Sequence, residues 1–299
     1  MNTPWLDTLW KDLRYGARQL VRAPGFTLAA VLALGLGVGA TTAIFSVLDA
    51  VVLRPLPYAE PDRLVTLHEV NQAKGLLREP LSPVNFMDYR DLSQAFSDAA
   101  AWWRPNLTLT GEGQEPLRVN AVEASNNLFS VLGVRAARGA GFSNRAAFFQ
   151  QAVREVVISD RLWRTRFQTN PSLVGQSIRL DNQAYTVLGI MPAGFHFPED
   201  TDVWTRLTWD LHYHSRGAHF MGAVARLRDG VTVDRAQTEL TALTTRFATQ
   251  FPGTNNGWRA EAIPLHTEVV GFFRAALYIL LGTVSLLLVI ACVNVASLL

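Results

Sequence analysis

The sequence predicts an α+β domain held outside the cytoplasm between two transmembrane α-helices. Three observations carry this expectation. Residues 23–48 contain no charged side chain, and neither do residues 275–299. Between those runs, strand-like and helix-like segments alternate along residues 54–271, as they do in layered α+β domains. Charged residues make up 17% of the chain, below the roughly 25% of ordinary soluble domains, because apolar residues gather at the two ends. The formal net charge is +2 with no basic stripe, which gives no electrostatic case for a nucleic-acid partner.

The first element is the segment Trp5–Val21. Leu6, Leu9, Leu13, Ala17 and Leu20 fall at helical spacing, with Lys11, Arg14, Arg18 and Arg22 on other faces. Residues 1–22 therefore read as an amphipathic interfacial helix on the inner leaflet, Trp5 and Trp10 lying at headgroup level; a short soluble helix would give the same pattern. Basic residues just ahead of an apolar run keep the N-terminus in the cytoplasm.

Residues 23–53 form the first transmembrane helix. About 20 apolar residues at a rise of 1.5 Å cross a bilayer core, and this run is longer and starts later than a signal-peptide core. Its Gly35, Gly37 and Gly39 imitate a dinucleotide fingerprint, but no strand precedes them and Asp49 comes too early for the acidic partner. Small residues in a membrane helix instead let another helix approach closely. Asp49, at the outer edge, either meets another helix or is simply hydrated.

In the domain, Leu64–Val70 has strand composition, and Ser82-Pro83 supplies a cap and a first-turn proline for a helix carrying Val84, Phe86 and Leu92. Strands are expected near 107–110 and 117–123, then a short helix 126–132 closed by Gly133. Composition changes at 139–150, and an inserted small second lobe is placed at about 139–215. It holds Val156–Ile158, a helix opened by Ser159, and strands near 176–180 and 184–190. Asp229-Gly230 marks a turn, and Thr232 caps a helix with Ala236, Leu240, Leu243 and Phe247 on one stripe. A last strand near 259–265 leads to the second transmembrane helix, 272–299, with Asn294 as its polar group. The chain stops at Leu299 while still apolar, so a fragment of a longer protein is expected.

Chemistry is thinly represented. His212, His214 and His219 could gather at a metal, although no acidic or cysteine partner stands near them in sequence, and loop histidines explain them as well. The sequence contains neither a P-loop nor a nucleophile elbow. The single cysteine, Cys292, cannot form an intramolecular disulfide. Trp102, Trp103, Trp163 and Trp204 read as core rather than as a ligand platform. No catalytic, cofactor or metal residues are assigned; Gly35, Gly37, Gly39, Asp49 and Asn294 are the candidates, for helix packing.

Several stretches resemble permeases of the macrolide-exporter (MacB-like) class of ABC transporters, in the branch called duplicated orphan permeases. They are Asp12-Leu-Arg-Tyr-Gly-Ala-Arg-Gln-Leu20, Val52-Leu-Arg-Pro-Leu-Pro-Tyr58, Leu162-Trp-Arg-Thr-Arg-Phe167, Val187-Leu-Gly-Ile-Met-Pro-Ala-Gly-Phe195, Ala225-Arg-Leu-Arg-Asp-Gly-Val231 and Ile290-Ala-Cys-Val-Asn-Val-Ala-Ser-Leu298. The resemblance implies a permease of the inner membrane with a periplasmic core domain, built as a porter-like β-α-β lobe interrupted by a small second lobe. It also implies partners: a cytoplasmic ABC ATPase that binds the ATP, a second permease copy, the lipid bilayer and a periplasmic adaptor. A two-helix extracytoplasmic sensor is the competing reading.

Overall fold

A computed structural model describes residues 14, 18, 21–111, 114–142, 154–195, 197–207 and 214–298. The interfacial helix expected over 1–22 and His212 fall almost wholly or wholly outside these residues. The chain divides into two compact units, Met1–Pro55 with Val269–Leu299, and Leu56–Glu268.

The first unit opens with α1, Pro24–Leu48, whose proline stands at the helix start, where its missing N–H is harmless. The winding continues as a π-turn over Asp49–Leu53 and stops there. Pro55 is the reason, since it forces Arg54 into extended backbone (ψ 133°).

The second unit contains every strand among the described residues. Leu64–Asn71 (β1) and Leu76–Glu79 (β2) form a hairpin, followed by α2 (Pro83–Leu92) and β3 (Phe96–Trp103). Ser82 caps α2, its Oγ accepting from Asn85 N at 3.2 Å. After β3 come β4 (Asn106–Gly111), β5 (Gln114–Ala124), α3 (Leu128–Leu132), β6 (Arg138–Gly139), β7 (Glu155–Ile158), α4 (Asp160–Phe167), β8 (Ser177–Leu180), β9 (Gln183–Ile190) and β10 (Val203–Arg206). Ser159 caps α4, accepting from Leu162 N at 3.1 Å, and Gly133 closes α3 at φ 68°. The unit finishes with β11 (Gly222–Leu227), α5 (Val233–Gln250, capped by Thr232), α6 (Pro252–Asn255) and β12 (Arg259–Pro264). Then α7, Leu265–Leu298, begins inside the stretch that the sequence assigns to the domain and completes the first unit.

Strand order explains the architecture. β3, β11, β1 and β12 lie side by side in that order, all antiparallel. Counted as first, second, third and fourth strands (β1, β3, β11, β12), they form two interleaved β-α-β units, the ferredoxin-like pattern. α2 and α5 cover one face: Phe86, Tyr89, Leu240 and Phe247 pack on Val65, Leu67, Ala99 and Ala223. This is the porter-like β-α-β lobe that the resemblance implies.

The second lobe is a closed ring of strands, β5-β4-β8-β9-β7-β10, with β10 returning to pair in parallel with β5 (Val203↔Ala121). Its core holds Leu109, Val119, Val156, Ile158, Leu162, Ile178, Leu180 and Val187. The ring thus draws β4 and β5 from 106–124, upstream of the 139–215 stretch in which the change of composition placed the lobe. Composition marks where residue types change, whereas lobe membership depends on which strands pair. A third cluster on the other face of the sheet joins ring to lobe, with Trp204, Phe195 and Val157 against Ala100, Val224, Leu128 and Leu64.

Candidate functional site

Among the helix-packing candidates, one glycine makes a close approach. A Cβ on Gly37 would lie 2.8 Å from Leu288 Cδ1 and 3.7 Å from its Cα, whereas Gly35 and Gly39 have nothing within 4 Å of that position. The difference is angular: at 100° per residue, position 37 points away from the face shared by 35 and 39. Gly37→Leu is therefore expected to push α1 and α7 apart. Disulfide crosslinking between cysteines placed on the two helices, in membranes, should fall, and unchanged crosslinking would remove Gly37 from the contact. Asp49 pairs with Arg54 at 3.3 Å, both exposed. Asn294 is exposed, and its carbonyl accepts from Ser297 Oγ at 3.0 Å. Both helices are long and apolar enough to cross a membrane: Pro24–Leu48 has mean hydropathy 2.1 and Arg274–Ser297 has 2.6.

Of the histidines, His214 is exposed beside the Phe220 ring, while His219 turns inward. Among the described residues no group of three His, Cys, Asp or Glu side chains is placed to hold a metal. Trp204 and Trp163 are core residues; Trp102 and Trp103 are half-buried.

His219 belongs to a polar cluster that no motif along the chain announces. At its centre Glu69, on β1, is fully buried. Its carboxylate accepts from Ser82 N (3.1 Å) and Asn85 Nδ2 (2.7 Å) at the start of α2, and from Tyr89 Oη (2.8 Å) farther along the same helix. The N-terminus of a helix is a favourable place for a negative charge, which helps Glu69 tolerate burial. His219 Nδ1 approaches the same carboxylate at 2.9 Å without the alignment of a hydrogen bond, and its ring stacks on Trp258 at 3.9 Å. Burial, then the neighbouring Glu69 charge, pushes the Tyr89 hydroxyl well above its ordinary pKa, so it remains a donor. Asn85 Oδ1 in turn accepts from Arg216 Nη1 (2.8 Å), whose Nη2 pairs with Asp88 (2.6 Å) and whose Cζ lies 4.0 Å from the centre of the Phe251 ring. The cluster fastens the segment entering β11 to β1, α2 and α6. Glu69 sits in a run of strand-forming residues, and only its α2 partners, 13 to 20 positions away, show that it points inward.

A second cluster marks the start of α7. Glu268, in its first turn, bonds Arg78 of β2 and lies 3.3 Å from His68 Nε2 and 3.4 Å from Thr66 Oγ1. Burial, reinforced by the Arg78 charge, lowers the His68 pKa from 6.5 to about 4. His68 is therefore neutral at pH 7, and Arg78 supplies the positive charge for Glu268. The folded chain resists protonation that the unfolded chain accepts, so this contribution to stability is complete above pH 6.5 and is lost as pH falls toward about 4. In His68→Asn the slope of stability across that window should flatten, as urea titrations at several pH values would register.

No curated protein matches the chain. A family model described as the MacB-like periplasmic core domain matches residues 27–243. Among solved structures, a domain of a permease protein from Porphyromonas gingivalis is similar at a TM-score of 0.50 and 15% identity, over 69% of this chain and 92% of that one. The periplasmic region of MacB from Actinobacillus actinomycetemcomitans aligns at a TM-score of 0.48 and 13% identity, over 66% and 87% of the two chains. The first of these likenesses concerns the fold alone. With a family match that spans most of its length and a mixed α+β domain set between two long apolar helices, the chain belongs to the MacB-like periplasmic core domain family.

Proposed function

We propose that the chain is the N-terminal part of a permease in an ABC-type export or mechanotransmission system of the inner membrane. The supporting observation is the MacB-like domain framed by two apolar helices that attach to neighbouring strands, α1 leading toward β1 and α7 leaving β12. In this reading residues 1–22 lie on the cytoplasmic leaflet, 23–53 and 272–299 cross the bilayer, and 54–271 work in the periplasm. The chain is not an enzyme. A partner ATPase binds and hydrolyses ATP in the cytoplasm, and the helices carry the movement outward to the domain. Gly37 and Leu288 hold the helix pair together, while Asp49 and Asn294 offer polar contacts to a second copy of the permease. A periplasmic adaptor would receive the motion.

The topology is tested with a reporter fused after Arg54. Alkaline phosphatase is expected to be active there and inactive when fused after Arg22; the reverse pattern would overturn the orientation. Co-purification of the full-length permease with an ABC ATPase tests the partner, and its absence from membranes solubilised under mild conditions would remove the transport reading.

A further inference from the structure

The loop that feeds β12 reads Asn255-Asn256-Gly257, the one place in the chain where asparagine precedes glycine. Asparagine is chemically labile, because its side-chain amide can be attacked by the main-chain nitrogen of the next residue. A glycine there has no side chain to stand in the way. The structure treats the two asparagines in opposite ways. Asn255 is buried and engaged at both ends of its amide: Nδ2 donates to Asn85 Oδ1 at 3.1 Å, and Oδ1 accepts from Thr254 Oγ1 at 2.8 Å. Asn256 is exposed, and among the described residues neither its side chain nor the Gly257 N–H makes a hydrogen bond.

Residues 255–258 form a type II β-turn. Asn256 sits at φ −64° and ψ 125°, Gly257 at φ +75°, and Trp258 N donates to Asn255 O at 3.2 Å. At that ψ the Gly257 nitrogen lies away from the Asn256 side chain, so their meeting requires rotation about the Asn256 Cα–C bond. This rotation is the peptide flip that interconverts type II and type I turns, and Gly257 permits it by accepting either sign of φ. The flip must release the 3.3 Å bond from Asn71 Nδ2 to Asn256 O. An exposed turn held by so few hydrogen bonds is the kind of segment that opens without unfolding the domain.

We propose that Asn256 is a site of spontaneous modification in the folded chain, passing through a succinimide to aspartate and isoaspartate. Gly257 N bonds to Asn256 Cγ, the Cγ–Nδ2 bond breaks, and the Gly257 proton leaves with the amide as ammonia. One water then opens the ring on either side and leaves a carboxylate at 256; in isoaspartate the main chain runs through the side chain. The altered turn is the one that delivers Trp258 to its stack on His219, 3.9 Å away, beside the buried Glu69. The full chain in detergent is aged in mildly alkaline buffer, folded or in urea. Its tryptic peptide 247–259 is then followed by mass spectrometry and by isoaspartyl methyltransferase, which labels isoaspartate. In the folded sample the amide-to-acid mass gain and the methyl label are expected at 256 and not at 255, and both should be lost in Asn256→Gln. Modification of 256 in urea alone would overturn the proposal, because the folded turn would then hold the asparagine shut. Label spread evenly over the asparagines of the folded chain would overturn it too, by removing any special role for this turn.

Discussion

Glu69→Ala is expected to cost the domain roughly 3–5 kcal/mol, the scale of breaking a buried, hydrogen-bonded charge cluster. Ser82 N, Asn85 Nδ2 and Tyr89 Oη would all lose their acceptor at once, in a pocket where Glu69 itself has no exposed surface. Asn85 could not turn to compensate, because its Oδ1 already serves Arg216 and Asn255. Glu69→Gln should cost less: an amide oxygen still accepts, but its NH2 group would face donors where the carboxylate offered a second acceptor. Urea unfolding of the detergent-solubilised chain, followed by tryptophan fluorescence, measures both. A loss below about 1 kcal/mol for the alanine variant would mean that water reaches the cluster.

Trp204→Ala should produce a loss of similar size, about 3–5 kcal/mol. The indole is fully buried on β10, donates from Nε1 to Phe197 O at 2.7 Å, and lies 5.3 Å and 5.9 Å from the Phe195 and Phe129 rings. β10 is also the strand that closes the barrel against β5, so the cavity would open where barrel and porter-like lobe share a core. Near-UV circular dichroism should lose intensity along with the fall in melting temperature. Trp204→Phe, which keeps much of the volume but gives up the N–H donor, should recover part of the loss. Equal losses for the two variants would assign the effect to the hydrogen bond rather than to packing.

The elements with local punctuation were legible in the sequence. Ser82, Ser159 and Thr232 cap the helices they were expected to open, and Gly133 ends α3, because each depends only on residues three or four positions away. β3 was not legible. Its centre is Ala99-Ala100-Ala101, which has little strand preference, and it forms because it lies between β5 and β11 with all three alanines fully buried. β10 has only four residues, buried on both faces, so it shows no alternation. Barrel closure depends on Val203 meeting Ala121 in parallel, a pairing that no local pattern announces. For the helix contact, the glycine row was visible but not which glycine makes it. The Glu69 cluster was hidden, since its partners become neighbours only after β1, α2 and the segment before β11 have packed.

The adjacency of β1 and β12, with Val65 opposite Pro264, sets how load travels through the domain. One strand follows the first apolar helix and the other precedes the second, so a pull between the helices would enter both strands at the Val65–Pro264 end and would load a single antiparallel ladder by opening it from that end. The barrel stands aside from that path. The chain leaves for it after β3 and comes back at β11, and those strand ends are themselves neighbours, Trp102 lying opposite Gly222. It branches from the frame rather than forming a link in that path. Its length and surface could therefore change among relatives with little effect on that ladder.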